Sequence, residues 1–181
     1  MVSLNFPKRE MNVKIVYYGP ALSGKTTNLE TIHKTLPDTR RGQLLSLATQ
    51  TDRTLFFDLL PLEFGEIEGF ATRFHLYTVP GQVMYNTTRK KVLTGADGVV
   101  FVADSQPHMA RENLQSLENL AENLASMGRN IADIPLVLQY NKRDMPNAMT
   151  VEDMNAALNP RGLPWFESVA NRGDGVVTTL T

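Results

Sequence analysis

The strongest chemical signal in the sequence is residues 19–26, which read Gly-Pro-Ala-Leu-Ser-Gly-Lys-Thr. They fit the pattern of Gly, four residues and Gly-Lys-Ser/Thr, whose folded backbone points successive N–H groups at phosphate oxygens. A helical segment follows, so the positive end of a helix dipole adds to the attraction for anions. We expect Lys25 to reach the β- and γ-phosphates of a nucleotide and the Thr26 hydroxyl to ligate Mg²⁺. The competing interpretation is a glycine-rich turn with an incidental lysine. The predicted nucleotide contacts here are Gly19, Ala21, Leu22, Ser23, Gly24, Lys25, Thr26 and Thr27.

A second signal, Asn141-Lys142-Arg143-Asp144, follows an apolar run at residues 134–140. A carboxylate at the end of a strand can accept two hydrogen bonds from neighbouring ring and exocyclic N–H groups of guanine, and adenine offers no such pair. We expect Asp144 to make these bonds, Lys142 to lie along the base, and Asn141 to tie this loop to the phosphate loop. A solvated loop with a structural asparagine is the alternative. On the same sheet edge as a phosphate loop, however, the tetrapeptide indicates guanine.

Continuous apolar runs alternate along the chain with segments of helical spacing. The runs suit buried parallel strands, and the segments suit helices that connect them by right-handed crossovers. Residues 55–60 and 70–79 form extended runs joined across Gly65 and Gly69, which predicts an antiparallel hairpin. The sequence therefore predicts an α/β fold of the P-loop NTPase type, with a doubly wound, mostly parallel sheet and one antiparallel hairpin. The other predicted strands are 13–18, 98–103 and 134–140, and the predicted helices are 25–36, 83–94 and 110–127.

Composition limits what the chain can do. Its 181 residues include 18 Lys plus Arg and 19 Asp plus Glu, and the net charge of -1 gives no electrostatic footprint for nucleic acid or an anionic membrane. Because it has no cysteine, disulfides, thiolate metal sites and prenyl or palmitoyl anchors are excluded. No apolar run reaches the roughly 18 residues of a membrane span, and residues 1–9 do not read as a signal sequence. We expect one cytoplasmic domain, residues 1–181, whose closing helix is cut short in its second turn.

These motifs make the chain resemble the Ras-like small GTPases, and among them the bacterial MglA-type branch. The resemblance extends to about residue 175, and most small GTPases carry Asp at the position of Thr78. It implies the small-GTPase (G domain) fold, GTP and GDP as ligands, and Mg²⁺ as cofactor. The segments that carry it are 19–26, 51–58, 73–82, 102–105 and 141–144.

The resemblance implies further residues for binding and hydrolysis. Residues 37–54 correspond to switch I, in which Thr54 is expected to bind metal and γ-phosphate. Arg53 is expected to act as an arginine finger supplied by the GTPase itself, although without the resemblance it reads as a solvated loop arginine. Gly81 is expected to donate its N–H to the γ-phosphate, and Gln82 to orient the attacking water.

The implied site divides into three groups. The catalytic residues are Gln82, Arg53 and Lys25. The metal ligands are Thr26 and Thr54. The second guanine-contacting loop is formed by Ser168, Val169 and Ala170, with the Ala170 N–H expected to face the base oxygen.

Two departures from the family pattern bear on the chemistry. Thr78 replaces the usual Asp, so we expect a site without the carboxylate in the outer shell of Mg²⁺ and a weaker hold on the metal. Ala21 stands where Ras-like phosphate loops commonly have Gly. Its methyl group points toward the space that Gln82 and an arginine need, which is expected to slow hydrolysis without preventing binding.

The resemblance implies a molecular switch that binds GTP and slowly hydrolyses it to GDP, and that regulates bacterial cell polarity and gliding or surface motility. The implied partners are a Roadblock-domain homodimeric activator of the MglB type and downstream polarity or motility effectors, which would recruit the chain to cell poles without a lipid anchor. Two alternatives stay open. One is a GTP-bound scaffold with impaired hydrolysis, and the other is an ATP-using kinase or motor, against which Asp144 argues.

Overall fold

The computed structural model describes residues 2–48 and 56–181, with the backbone alone at positions 48 and 56. The strands are β1 (Ser3–Asn5), β2 (Glu10–Tyr18), β3 (Leu45–Ala48), β4 (Phe56–Ile67), β5 (Phe70–Thr78), β6 (Gly98–Asp104), β7 (Leu136–Asn141) and β8 (Trp165–Glu167). The α-helices are α1 (Lys25–Thr35), α2 (Asn86–Leu93), α3 (Ala110–Ser126), α4 (Val151–Leu158) and α5 (Val176–Leu180). Short 3-10 turns occupy Asp38–Arg40, Val83–Tyr85 and Pro107–Met109.

The strands form one mixed sheet in the order β3-β4-β5-β2-β6-β7-β8, with β1 beside β2. Strands β5, β2, β6, β7 and β8 are mutually parallel, and β4 pairs antiparallel with β5. The predicted α/β fold with its antiparallel hairpin is therefore confirmed. The short strands β1 and β3 add two further antiparallel pairs that the sequence patterns did not indicate.

Two apolar cores hold the helices on opposite faces of this sheet. Every residue of β6 is buried, as expected for a continuous apolar strand covered on both sides. At the end of β2, Tyr18 faces the core under α2, α3 and α4, while Tyr17 faces the core under α1 and α5, because successive strand residues point to opposite faces. None of the described helices is long and apolar enough to cross a membrane.

This topology decides where the loops meet. The parallel strands β2, β5, β6 and β7 all end at the same edge, so residues 19–24, 79–82 and 142–144 lie together there. In a doubly wound sheet this edge is where ligands bind. The fold thus gathers the two predicted nucleotide motifs into one region.

Candidate functional site

A cavity of about 650 Å³ opens at the carboxyl edge of the sheet. It is bounded by the phosphate-loop segment, the β3–β4 pair and the loop after β5. The lining residues are Ala21, Leu22, Gly24, Lys25, Thr26, Thr27, Ser46, Leu47, Phe57, Asp58, Thr78, Val79, Pro80, Gly81, Gln82 and Tyr85. Most of the predicted phosphate contacts, together with Gly81 and Gln82, therefore share one concave surface.

The loop before α1 has the close packing that its glycines suggest. Gly24 has φ 103°, and a Cβ there would lie 2.2 Å from Asn141 Nδ2. Leu22 adopts the left-handed region with φ 62°, an uncommon conformation for a residue with a side chain. The backbone is thus folded back on itself ahead of the helix N-terminus, as a phosphate-binding loop requires.

Lys25, the first residue of α1, is buried and bent back across this loop. Its ammonium donates hydrogen bonds to the carbonyl oxygens of Gly19 (3.0 Å) and Pro20 (2.6 Å). Burial lowers the pKa of the Lys25 ammonium to about 7, the positive charge of Arg89 acts in the same direction, and Asp58 opposes both. The site therefore presents a buried amine whose protonation depends on the arrival of negative charge.

A buried carboxylate stands where none was expected. Asp58 on β4 is 8% exposed, and its Oδ2 accepts hydrogen bonds from the hydroxyls of Thr26 (2.6 Å) and Thr78 (2.8 Å). Its Oδ1 accepts from the Ser46 hydroxyl (2.6 Å). The neighbouring strand thus places a carboxylate within hydrogen-bond distance of Thr78, which the sequence analysis did not anticipate.

The loop after β5 packs directly on the phosphate loop. A Cβ on Gly81 would lie 2.3 Å from the backbone nitrogen of Ala21, so no side chain fits between the two segments. Gln82 is exposed at the mouth of the cavity, and its carbonyl oxygen accepts a hydrogen bond from Arg89 Nη2 (2.8 Å). Gly81 thus lies directly against the backbone of Ala21 in the phosphate loop.

The second motif is fixed by a compact hydrogen-bond network. Asn141 Nδ2 donates to the carbonyl oxygen of Ser23 (2.8 Å), which ties this loop to the phosphate loop in the predicted manner. Asn141 Oδ1 accepts from the Ser168 hydroxyl (3.0 Å) and from the Ala170 N–H (2.9 Å). The Ala170 N–H, which was predicted to face the base oxygen, is therefore bonded to Asn141 in this structure. Val169 lies between these two residues and is buried.

Lys142 and Asp144 lie at the outer side of this network. Lys142 has φ 65° and its ammonium pairs with Asp104 Oδ2 at 2.6 Å. Asp104, at the end of β6, is only 1% exposed, so Lys142 is paired with a buried carboxylate. Asp144 is exposed and lies within a turn that is closed by a hydrogen bond from the Met145 N–H to the Lys142 carbonyl oxygen.

Two predicted residues are not among those that the structure describes, and some residues that were not predicted belong to the site. Arg53 and Thr54 lie outside the described residues. Asp58 and Asp104 both fell within segments quoted for the family resemblance, and the polar residue at a strand end was the available signal for Asp104. Arg89 gave no signal, since it is one of three consecutive basic residues, 89–91, and basic residues in an amphipathic helix ordinarily face solvent.

Comparison with known proteins agrees with this geometry. The sequence model of the ADP-ribosylation factor family matches residues 2–172. The "Mutual gliding-motility protein MglA" of Myxococcus xanthus (strain DK1622) is 59% identical over 180 residues, which cover 99% of this chain and 92% of the relative. The "ADP-ribosylation factor-like protein 6" of Caenorhabditis briggsae is 33% identical over 182 residues, 94% of this chain and 84% of the relative. Its Caenorhabditis elegans counterpart is 32% identical over 155 residues, 83% of this chain and 70% of the relative.

The resemblance to the MglA-type branch is therefore confirmed. The family match spans both nucleotide motifs and the loop that contains Gln82. The chain belongs to the ADP-ribosylation factor family of Ras-like small GTPases, which bind guanine nucleotides and hydrolyse GTP.

Proposed function

We propose that this chain, as a single small-GTPase domain, is a switch that binds Mg²⁺-GTP, hydrolyses it slowly, and thereby regulates bacterial polarity and gliding or surface motility. The observation that supports this proposal is the position of two groups of residues. One end of the carboxyl edge contains Lys25, Thr26 and Asp58, and the other end is formed by Asn141 and the loops that are hydrogen-bonded to it. This arrangement suits phosphates at one end and a base at the other. The motility setting is supported by the printed name of the Myxococcus xanthus relative.

The donor set around Asp58 suits Mg²⁺, which prefers hard oxygen ligands. Thr26 and Thr54 are the proposed direct ligands, and Asp58 supplies the outer carboxylate that Thr78 cannot. When held by these residues, Mg²⁺ would supply positive charge that stabilises the phosphates. The hydroxyl-to-carboxylate bonds at Asp58 hold Thr26 in a fixed orientation before any ligand binds, which lowers the cost of ordering the site.

The chain's own residues then account for hydrolysis. Lys25 stabilises negative charge on the β- and γ-phosphates, and the Gly81 N–H donates to the γ-phosphate. Gln82 orients the water for in-line attack. Arg53 neutralises the charge that develops on the transferred group.

Exposed apolar side chains around the cavity support the binding of protein partners. Val83 and Met84 come directly after Gln82 and are 83% and 78% exposed, and Leu22 of the phosphate loop is also exposed. Apolar side chains at the rim of a nucleotide site suit protein partners that read the state of the loops. We propose a Roadblock-domain homodimer of the MglB type as activator, with motility or polarity effectors on the same rim. These partners would place a cytoplasmic chain at the cell poles.

Single-turnover hydrolysis of Mg²⁺-GTP, with and without the Roadblock-domain activator, tests the switch. We expect slow cleavage by the chain alone and an acceleration of at least about tenfold with the activator, because the activator brings Arg53 and Gln82 into place. GTP that stays bound and uncleaved in both conditions would contradict the switch and favour the scaffold.

The scaffold is the second candidate, and the contact between Ala21 and Gly81 favours it. An Ala21→Gly variant distinguishes the switch from the scaffold in the same assay. Faster cleavage in this variant would identify the methyl group as the brake on an intact switch. No cleavage by either protein would leave GTP occupancy as the signal.

Lys25 should take up a proton when nucleotide binds. At pH 8 the free protein holds this amine mostly neutral, because its pKa is lowered to about 7, and the phosphates restore the ammonium. Binding should therefore consume up to about one proton, and affinity should fall as pH rises above 7, by at most about tenfold per pH unit. Calorimetry of GDP binding at pH 8 in two buffers of different ionisation enthalpy measures this uptake.

Lys14 provides the control for this measurement. Burial also lowers the pKa of Lys14, but its ammonium bonds the Thr94 carbonyl oxygen away from the cavity. Lys14→Met should leave the uptake unchanged. Binding without proton uptake in the unmodified chain would contradict the assignment of Lys25 to the phosphates.

A further inference from the structure

Arg89 on α2 is a buried cation next to the loop that contains Gln82. It is 3% exposed, and its Nη2 donates to the Gln82 carbonyl oxygen (2.8 Å) while its Nη1 donates to Asn119 Oδ1 (2.6 Å). Within residues 2–48 and 56–181, its Nε has no hydrogen-bond partner and its guanidinium forms no ion pair. The Gln82 carbonyl oxygen and the Asn119 amide oxygen that accept from it are both neutral, and so is the Tyr18 hydroxyl, which also interacts with the guanidinium.

Asn119 belongs to a polar network that anchors this arginine to the rest of the fold. Its Oδ1 also accepts from the hydroxyl of Tyr18, the last residue of β2, and its Nδ2 donates to Asn86 Oδ1 (3.1 Å). Asn123 donates to both Tyr18 (2.9 Å) and Asn86 (2.8 Å). The network joins β2, α2 and α3, so Arg89 links the Gln82 backbone to three packed elements.

The buried position of Arg89 is unfavourable if the only role of this side chain is to pack in the core. A buried guanidinium without a carboxylate costs free energy that an apolar side chain of similar size would avoid. Hydrogen bonds from a charged donor to a carbonyl oxygen are stronger than neutral ones and fix its position closely. Arg89 lowers the stability of the fold and holds one backbone carbonyl group beside the site. Its presence is better explained by the role of the residue to which that carbonyl group belongs.

That backbone carries Gln82, whose side chain is exposed at the cavity mouth. The local turn bond from the Tyr85 N–H (3.2 Å) and the Arg89 bond both hold its carbonyl oxygen. A misplacement of about 1 Å at a residue that orients a reactant can cost about 100-fold in rate. Fixing the backbone at position 82 therefore has direct consequences for where the side-chain amide can reach.

We propose that Arg89 is a positioning residue for GTP hydrolysis, which holds the Gln82 backbone against α3 so that the Gln82 side chain can orient the attacking water. The inference rests on the proposed function, in which Gln82 has that role. Arg89 itself touches neither nucleotide nor water in this mechanism. Its effect through Gln82 is on the rate of the chemical step, and Arg89→Lys, which keeps the positive charge that acts on Lys25, separates this effect from one on GDP binding.

The test compares Arg89→Met and Arg89→Lys with Arg129→Met and Gln82→Leu. Arg129 is the matched control, because its Nη1 also donates to a backbone carbonyl oxygen, that of Ala96 (2.7 Å), far from the cavity. Three quantities are measured: the single-turnover rate of GTP cleavage with saturating activator, the dissociation rate of GDP, and the melting temperature.

We expect Arg89→Met to cleave GTP about tenfold more slowly, with GDP dissociation within about twofold of the unmodified chain. Arg89→Lys should be intermediate, since one ammonium can reach one of the two acceptors. Arg129→Met should lower only the melting temperature. If Arg89→Met fails to fold, Arg89→Lys carries the test, and a normal cleavage rate in it overturns the proposal.

Other outcomes distinguish a failure of the proposed role of Arg89 from a failure of the proposed function. A normal or increased rate in Arg89→Met, with Gln82→Leu slow, overturns the role of Arg89 alone. A rate and a GDP affinity that fall together, as a general loss of structure would produce, also overturn it. A normal rate in Gln82→Leu removes the proposed role of Gln82 first, and the inference fails with it.

Discussion

Replacing Asp58 with Asn is expected to weaken Mg²⁺-dependent nucleotide binding by about 10- to 100-fold, the range observed when a residue outside the direct ligands of a metal is lost. The carboxylate accepts hydroxyl hydrogen bonds from Thr26, Thr78 and Ser46, so it orients Thr26 as well as carrying charge. An amide has no net charge, and its Nδ2 can only donate where Oδ2 now accepts from two hydroxyls. Both the charge and the orientation of Thr26 are lost together.

The measurement is the dissociation rate of GDP at several Mg²⁺ concentrations and with a chelator. In the unmodified chain, removal of Mg²⁺ should accelerate release, whereas Asp58→Asn should release GDP rapidly at every concentration. The two proteins giving the same Mg²⁺ dependence would exclude Asp58 from the metal site.

Thr78 offers a rescue that a merely structural role for Asp58 would not permit. Its hydroxyl is 2.8 Å from Asp58 Oδ2, so a carboxylate at position 78 would reach the same region. The double variant Asp58→Asn with Thr78→Asp should recover part of the Mg²⁺ dependence. Thr78→Asp alone should not improve on the unmodified chain, because two carboxylates at this distance repel each other.

The strand pairing explains why the sequence did not indicate that Asp58 lies beside Thr26 and Thr78. At the tip of the hairpin Ile67 pairs with Phe70, and continuing that register would place residue 58 opposite residue 79. An irregularity between Glu63 and Glu66 shifts the register by one, so that Leu59 pairs with Tyr77 instead. A shift of one residue exchanges the two faces of a strand, and nothing in the apolar pattern specifies where such a bulge falls.

Motifs that act through local backbone were predictable from the sequence, whereas tertiary polar contacts were not. The phosphate loop and the Asn141 to Asp144 segment depend on short runs between a strand and the next element, and both lie where expected. The role of Arg89 depends on Asn119, thirty residues away on another helix, and helical periodicity gives no information about such a pair. The short strands β1 and β3 lack the length and alternation that pattern reading needs.

The largest effect on specificity is expected from Asp144. Two hydrogen bonds from guanine to a carboxylate contribute about 1.5–3 kcal/mol each, so Asp144→Asn should lower GTP affinity by about 100-fold or more. Xanthine carries a carbonyl oxygen where guanine has its exocyclic amine, and the Asn amide can donate to it. The variant should therefore bind XTP better than GTP, while the phosphate loop keeps its contacts.

The loop around Asp144 makes this a test of recognition more than of folding. Arg143 bonds the carboxylate of Glu167 (2.8 Å) and the Met149 carbonyl oxygen (2.6 Å), and its N–H donates to the Ser168 carbonyl oxygen. These bonds do not involve the Asp144 side chain, so the loop should persist in the variant.

Competition of GTP, XTP and ATP against a fluorescent GDP analogue measures the preference. Asp153→Asn, an exposed acid on α4, is the control. If Asp144→Asn still preferred GTP over XTP by the original factor, the guanine assignment would fail, and if ATP competed equally in the unmodified chain, the P-loop would serve a different base.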